Sequence, residues 1–160
     1  MKKSIMLIAA LCMTSVMTFA QKVIRVSTDK TDLVMKVSPK GRLYQVYLGD
    51  KLLNPSDYDN LKWDVYAASD GAVCQRGHEV YATSGAEDFF EPAVAATHAD
   101  GNMTTYLYYK SSEQKAVDGG TETVITLQDK VYPFTVKLHY VAYAKENVIK
   151  AWSEISHNEK

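Results

Sequence analysis

The chain has 160 residues, with 18 Lys and Arg against 19 Asp and Glu for a formal net charge of −1. Charge this balanced and this scattered leaves no basic stripe for a phosphate backbone, so nucleic acid is not an expected partner. Met1, Lys2 and Lys3 precede an apolar run over residues 5–17 and the small, weakly polar Thr18, Phe19 and Ala20, which is the order of an export signal peptide. The run is too short for a membrane-spanning helix, which takes about 20 apolar residues. Cleavage is expected after Ala20, so that residues 1–20 are the signal and residues 21–160 the mature domain, periplasmic or secreted. Leu11 stands before Cys12 where a lipid-attachment motif requires a small residue, which argues against a lipid anchor. After cleavage Cys74 is the remaining cysteine, so no internal disulfide is expected and the thiol reads as buried and inert.

About 140 residues are enough for one core that buries roughly two thirds of the unfolded chain's surface. Period-two alternation of β-branched and aromatic residues dominates, and no segment carries a helical apolar repeat. Leu33, Met35 and Val37 make one face of a strand. Pro39, Lys40 and Gly41 then turn the chain into a second strand with Tyr44, Val46 and Leu48 on one face. Residues 49–62 read as a long loop. A second hairpin is expected from residues 94–98 and 103–109 around Asp100, Gly101 and Asn102. Residues 111–120, rich in Ser, Gly and charge, read as a loop. A third hairpin runs over residues 121–127, turns at Gln128, Asp129 and Lys130, and returns with Phe134, Val136, Leu138, Tyr140 and Ala142 on one face. Thr135, Lys137 and His139 face the other way, as in an antiparallel sheet with one wet side. Residues 148–155 give the last strand. The fold class is therefore all-β, an antiparallel β-sandwich, since a single sheet would leave its apolar face in water. The chain stops just after that strand and its polar exit, with no closing element in sight, so the sandwich is expected to be incomplete at its C-terminus.

Candidate chemistry is sparse. Glu87, Asp88 and Glu91 bracket Phe89 and Phe90, and glycoside hydrolysis uses paired carboxylates, but neighbours in sequence are more simply a solvated strand entry anchored by the two rings. Lys62, Trp63 and Asp64 read as a strand start with Asp64 facing solvent. The four histidines, His78, His98, His139 and His157, are singletons without metal-ligand spacing, so neither a metal nor another cofactor is expected. No glycine-rich phosphate loop is present. Tyr58 and Trp63 lie beside Asp57, Asp59 and Asn60, an arrangement in which flat rings stack on a sugar and acids bond its hydroxyls. The plainer reading packs Tyr58 over the sandwich edge and leaves the acids to solvate a loop.

Several stretches together resemble the N-terminal β-sandwich domain of glycoside hydrolase family 36, the bacterial α-galactosidases: residues 47–52; Asp88, Phe89, Phe90, Glu91, Pro92, Ala93; residues 122–129 with 134–140; and Asn147, Val148, Ile149. Phe90 stands where the family commonly has a basic residue. The resemblance implies a supersandwich-like fold and a catalytic barrel that lies outside these residues and carries both catalytic aspartates. Lys62, Trp63 and Asp64 imitate the first positions of the family's nucleophile motif, but Tyr66 replaces its asparagine. No catalytic residue is therefore carried over, and the chain alone is expected to be inactive. The implied role is a scaffold that packs on the barrel and, through a loop, helps wall a galactose pocket of its own or a neighbouring subunit, with an α-galactoside or other glycan as ligand and a homo-oligomer as one assembly. Asp59 falls roughly where the loop acid would sit, with Tyr58 and Trp63 beside it as substrate-binding candidates. A free-standing carbohydrate-binding domain is the alternative. A mutarotase-like enzyme would need a histidine beside a carboxylate, and the sequence pairs none.

Overall fold

The computed structural model describes residues 22–61, 79–85 and 91–159. The export segment, Lys62, Trp63 and Asp64, Cys74, His78, and Glu87, Asp88, Phe89 and Phe90 lie outside those residues. The elements run β1 (Val23–Ser27), β2 (Thr31–Val37), β3 (Leu43–Asp50), α1 (Pro55–Asn60), β4 (Leu107–Val117), β5 (Gly120–Asp129), β6 (Phe134–Tyr143) and β7 (Val148–His157). They form a three-stranded sheet ordered β1-β2-β3 and a four-stranded sheet ordered β4-β5-β6-β7, antiparallel throughout. The fold is the all-β antiparallel sandwich expected.

Apolar alternation places the core between the sheets. Ile24 and Val26 of β1, Leu33 and Met35 of β2, and Leu43 of β3 meet Leu107, Ile125, Leu127, Phe134, Val136, Leu138 and Ala142 of the larger sheet. Met35, Ile125 and Val136 are fully enclosed at 0 % exposure. Tyr140 packs at the edge of this cluster, so the expected inward face of β6 is found. β2 is buried on both faces, because Asp32, Val34 and Lys36 on its outer side are covered as well.

The first and third hairpins and the last strand form as expected, with one rearrangement. A bulge between Val34 and Met35 opposes Val34 to Tyr47 and Met35 to Gln45, leaving Val46 as the extra residue. The bulge re-phases β3, so Leu43 and Tyr44 no longer share one alternation with Leu48, which is 60 % exposed.

Three expectations fail, the first because the expected loop over residues 49–62 contains a helix, α1. Residues 111–120 are not a loop: β4 pairs with β5 from Leu107 opposite Asp129 to Val117 opposite Gly120, around a tight turn in which Gly119 takes φ +70°. A ladder needs backbone groups, not apolar side chains, and Lys115 opposite Glu122 adds a cross-strand ion pair at 2.9 Å. Residues 94–98 and 103–106 do not form a hairpin ladder. The turn itself closes, with Gly101 at φ +85° and the His98 N–H donating to the Asn102 carbonyl at 2.8 Å. The bonds that the hairpin would have made go to residues 82–84 instead. The Ala93 N–H reaches the Ala82 carbonyl, the Ser84 N–H the Val94 carbonyl, and the Thr105 N–H the Ser84 carbonyl.

Candidate functional site

The residue after β3 begins the segment that carries Tyr58 and Asp59. Pro55, with φ pre-set for a helix and no N–H to leave unpaired, opens α1 behind the extended Asn54. So short a helix is held by packing rather than by its own turns. Tyr58, 8 % exposed, drops onto the outer face of β2, where its hydroxyl donates to Asp32 Oδ2 at 2.5 Å. The same carboxylate oxygen accepts the Leu52 N–H at 2.9 Å. Burial pushes the Asp32 carboxyl up, but hydrogen bonds from Ser27, Tyr58 and the Leu52 backbone and the nearby Lys51 charge outweigh it and hold it below the ordinary carboxylate value. Burial, and then the bond to Asp32, pushes the Tyr58 hydroxyl up.

Lys36, four residues along the same face and 1 % exposed, closes the other end of the helix. Its ammonium donates to the Leu61 carbonyl at 2.6 Å and to the Asp59 carbonyl at 3.1 Å, supplying donors that a terminating helix lacks. Burial lowers the Lys36 pKa against the opposing pull of the Asp59 charge. The segment is thus fixed at both ends by polar contacts to β2, and Asp59 is left exposed between them. The guanidinium of Arg25 lies 4.4 Å from the Tyr58 ring centroid. With its hydroxyl on Asp32 and its face under Arg25, Tyr58 anchors the segment that presents Asp59 rather than offering a stacking surface. Trp63 lies outside the described residues.

Asp59 and Tyr58 line a cleft of about 620 Å³ whose other walls are β1 and the β4–β5 hairpin. Its floor is the inward face of that hairpin beyond the reach of β1. Register puts Ser112 opposite Ile125 and Gln114 opposite Thr123, so these residues continue the face on which Ile125 and Leu127 meet the core. The Gln114 amide donates to the Thr123 hydroxyl at 3.0 Å and to the Arg25 carbonyl at 2.9 Å, bridging the two sheets across the cleft.

Two histidine–acid pairs form where the sequence showed none. Glu122 and His139 sit diagonally on the outer face of β5 and β6, with Nδ1 2.8 Å from Glu122 Oε1 and the imidazole stacked on Trp152 at 4.7 Å. The Lys115 hydrogen bond, and after it that of His139, holds the Glu122 carboxyl below its ordinary value. His98 lies between Glu159, 2.7 Å from Nδ1, and the Thr105 hydroxyl, 2.9 Å from Nε2, and stacks on Tyr132. The hydrogen bond from His98, followed by the Ala99 N–H, holds the Glu159 carboxyl down. This hydroxyl–imidazole–carboxylate order is that of a nucleophile with its base, but Thr105 is 0 % exposed and no substrate reaches it. Neither pair lines the cleft. The β5–β6 register was the signal for the first pair; the second joins residues 61 apart and had none in sequence. Among the described residues no group of three or more His, Cys, Asp or Glu side chains is placed to hold a metal.

The family model described as "Glycosyl hydrolase family 36 N-terminal domain" matches residues 41–160. Among solved structures, the fold is similar to the alpha-galactosidase from Lactobacillus brevis, with a TM-score of 0.67 and 20 % identity over 86 % of this chain and 22 % of that one. It is likewise similar to a GH36 alpha-galactosidase, AgaB, from Geobacillus stearothermophilus, at TM-score 0.68, 20 % identity, and the same coverage of 86 % and 22 %. A variant GH36 alpha-galactosidase from the same organism, in complex with raffinose, gives TM-score 0.67 and 22 % identity, again over 86 % of this chain and 22 % of that one. The chain thus spans about a fifth of the length of these structures, and identity this low speaks for the fold. No curated protein matches the chain.

Proposed function

The chain belongs to the glycosyl hydrolase family 36 N-terminal domain family, and from that membership we propose that residues 21–160 are the non-catalytic β-sandwich module of an exported α-galactosidase-like glycoside hydrolase. Catalysis in this reading resides in a barrel domain outside these 160 residues, and the sandwich supports that barrel and lends its 51–61 segment to the wall of a galactoside pocket. The observation that carries the reading is the double clamp on α1. A buried carboxylate and a buried ammonium are both committed to a six-residue helix whose remaining product is one exposed acid, Asp59. Buried charges cost stability, and a merely solvated loop has no need of them. Raffinose in the complex of a structural relative supports an α-galactoside as the ligand class.

The test is Asp59→Ala in the full-length enzyme. Loss of a charged hydrogen bond to substrate, about 1.5–3 kcal/mol, lowers kcat/KM for raffinose by about 10–150-fold. Unchanged KM and kcat would remove Asp59 from the site. Glycoside hydrolysis requires two opposed carboxyl groups at a fixed separation, so the purified chain is expected to release no aryl leaving group from an aryl α-galactoside above a blank. Residues 1–20 act as the export signal in this reading, and mass spectrometry of the mature protein is expected to find Gln21 at its N-terminus. A free-standing glycan-binding domain is the second reading, favoured by the polar cleft beneath α1.

A further inference from the structure

The inward face of the β4–β5 hairpin changes character along its length. Near the core it is Leu107, Ile125 and Leu127; past the edge of β1 it is Ser112, Gln114, Thr121 and Thr123. Thr123 is 1 % exposed, and an inward polar side chain of this kind is unfavourable unless it has partners. Here its hydroxyl is engaged by Gln114, which is itself exposed and lines the cleft.

The facing wall is a strand edge. Lys22 accepts the Val37 N–H and Thr28 donates to the Thr31 carbonyl, so the even-numbered residues of β1 bond β2. Alternation in an antiparallel ladder then turns the backbone groups of Val23, Arg25 and Ser27 outward, into the cleft. The Arg25 carbonyl is capped by Gln114, and the neighbouring N–H and C=O groups have no bonding partner among the described residues. Lys22 and Arg25 on this lining are balanced by Asp59 and Glu113.

We propose that the Gln114–Thr123 floor and the outward edge of β1 form a hydrogen-bonding site for one or two units of a neutral sugar chain. The cleft volume lies in the range of small-molecule sites. Its lining offers donors and acceptors in quantity with no excess of either charge, which favours a neutral polyhydroxy ligand over an anion or a cation. An added peptide strand is disfavoured, because it needs the outward Arg25 carbonyl that Gln114 already occupies. The Tyr58 face is covered by Arg25, so binding rests on hydrogen bonds without ring stacking, and dissociation constants in the millimolar range follow.

The inference rests on the reading of this chain as a glycan-handling module, and the experiment separates the two. The chain is titrated with melibiose, raffinose, cellobiose and an extended pentapeptide while its backbone and side-chain amide resonances are followed. Saturable shifts at the Gln114 side-chain amide and the Val23, Arg25 and Ser27 amides are expected with sugar. Gln114→Ala, measured well below its melting temperature, weakens binding about tenfold, the loss of roughly one hydrogen bond. Thr123→Val, which removes the hydroxyl and keeps the volume, does the same. Cellobiose binding as well as melibiose would uphold the cleft while withdrawing support for an α-galactoside ligand. Shifts with the peptide and none with any sugar, or binding untouched by both variants, would overturn the proposal, whatever Asp59→Ala does to turnover.

Discussion

Replacing Tyr58 by Phe keeps the ring beneath Arg25 and deletes the hydroxyl whose short bond to Asp32 ties α1 to β2, along with its longer 3.2 Å contact to the Leu52 carbonyl. The bond to Asp32 is charge-assisted, its acceptor is a carboxylate at 0 % exposure, and after the substitution the Leu52 N–H remains on Asp32 Oδ2 at 2.9 Å. Loss of such a bond costs about 2 kcal/mol, which for a domain of about 140 residues lowers the melting temperature by roughly 6–8 °C. The pH dependence has a definite sign. Asp32 titrates below the ordinary carboxylate value in the fold, so the folded carboxyl holds its proton less readily than the unfolded one. Its contribution is complete above the unfolded value and is lost as pH falls through the folded one. The gap between wild type and Tyr58→Phe, measured by thermal circular dichroism, is therefore constant from about pH 5 to 8 and narrows below about pH 4. A gap under about 0.5 kcal/mol at neutral pH, or one that persists unchanged in acid, would refute the clamp.

Lys36→Met removes the donor to the Asp59 and Leu61 carbonyls, and amide hydrogen exchange over residues 55–61 is expected to accelerate while the β5 and β6 amides keep their protection. Gly120→Ala places a Cβ 2.4 Å from the Ala142 carbonyl oxygen, so the β5–β6 ladder must open, at a cost of about 2–3 kcal/mol in urea unfolding. Gly101→Ala, which meets nothing within 4 Å but must hold φ +85°, costs about 1 kcal/mol, and reversal of this ranking would contradict the turn geometry. β7 ends its sheet among the described residues, with Ile155 48 % exposed. The isolated chain is expected to self-associate with concentration on size-exclusion chromatography, and Ile155→Lys to shift it toward monomer; a sharp monomer peak at every concentration would count against this edge.

Strands whose pattern and partner are both local were legible in sequence. β2 with β3 and β5 with β6 each join across a short turn and alternate cleanly, so periodicity and turn chemistry identify them together. What escaped depended on contacts set by register or by distance in sequence. The segment at residues 82–84 took the backbone bonds expected between 94–98 and 103–106, and nothing in those residues announces a competitor. The bulge at Val46 moved Leu48 off a predicted face through one extra residue. For the candidate site, Asp59 and Tyr58 were found by residue type alone, whereas the anchors that fix them, Asp32 and Lys36, looked like the wet positions of an alternating strand.

The misreading of residues 111–120 bears most on function. In sequence Ser112 and Gln114 read as loop, because polar residues in alternation with polar residues give no period-two signal. Backbone pairing with Thr123 and Ile125 makes them a strand regardless, and register puts them on the inward face of the hairpin, where they line the cleft. The polarity that concealed β4 is therefore the same property that gives the cleft its floor. An inward face that is apolar under one sheet and polar beyond its edge marks the place where the sandwich stops excluding water and begins to offer hydrogen bonds. In this chain that boundary falls beneath α1, beside Asp59 and along the outward edge of β1.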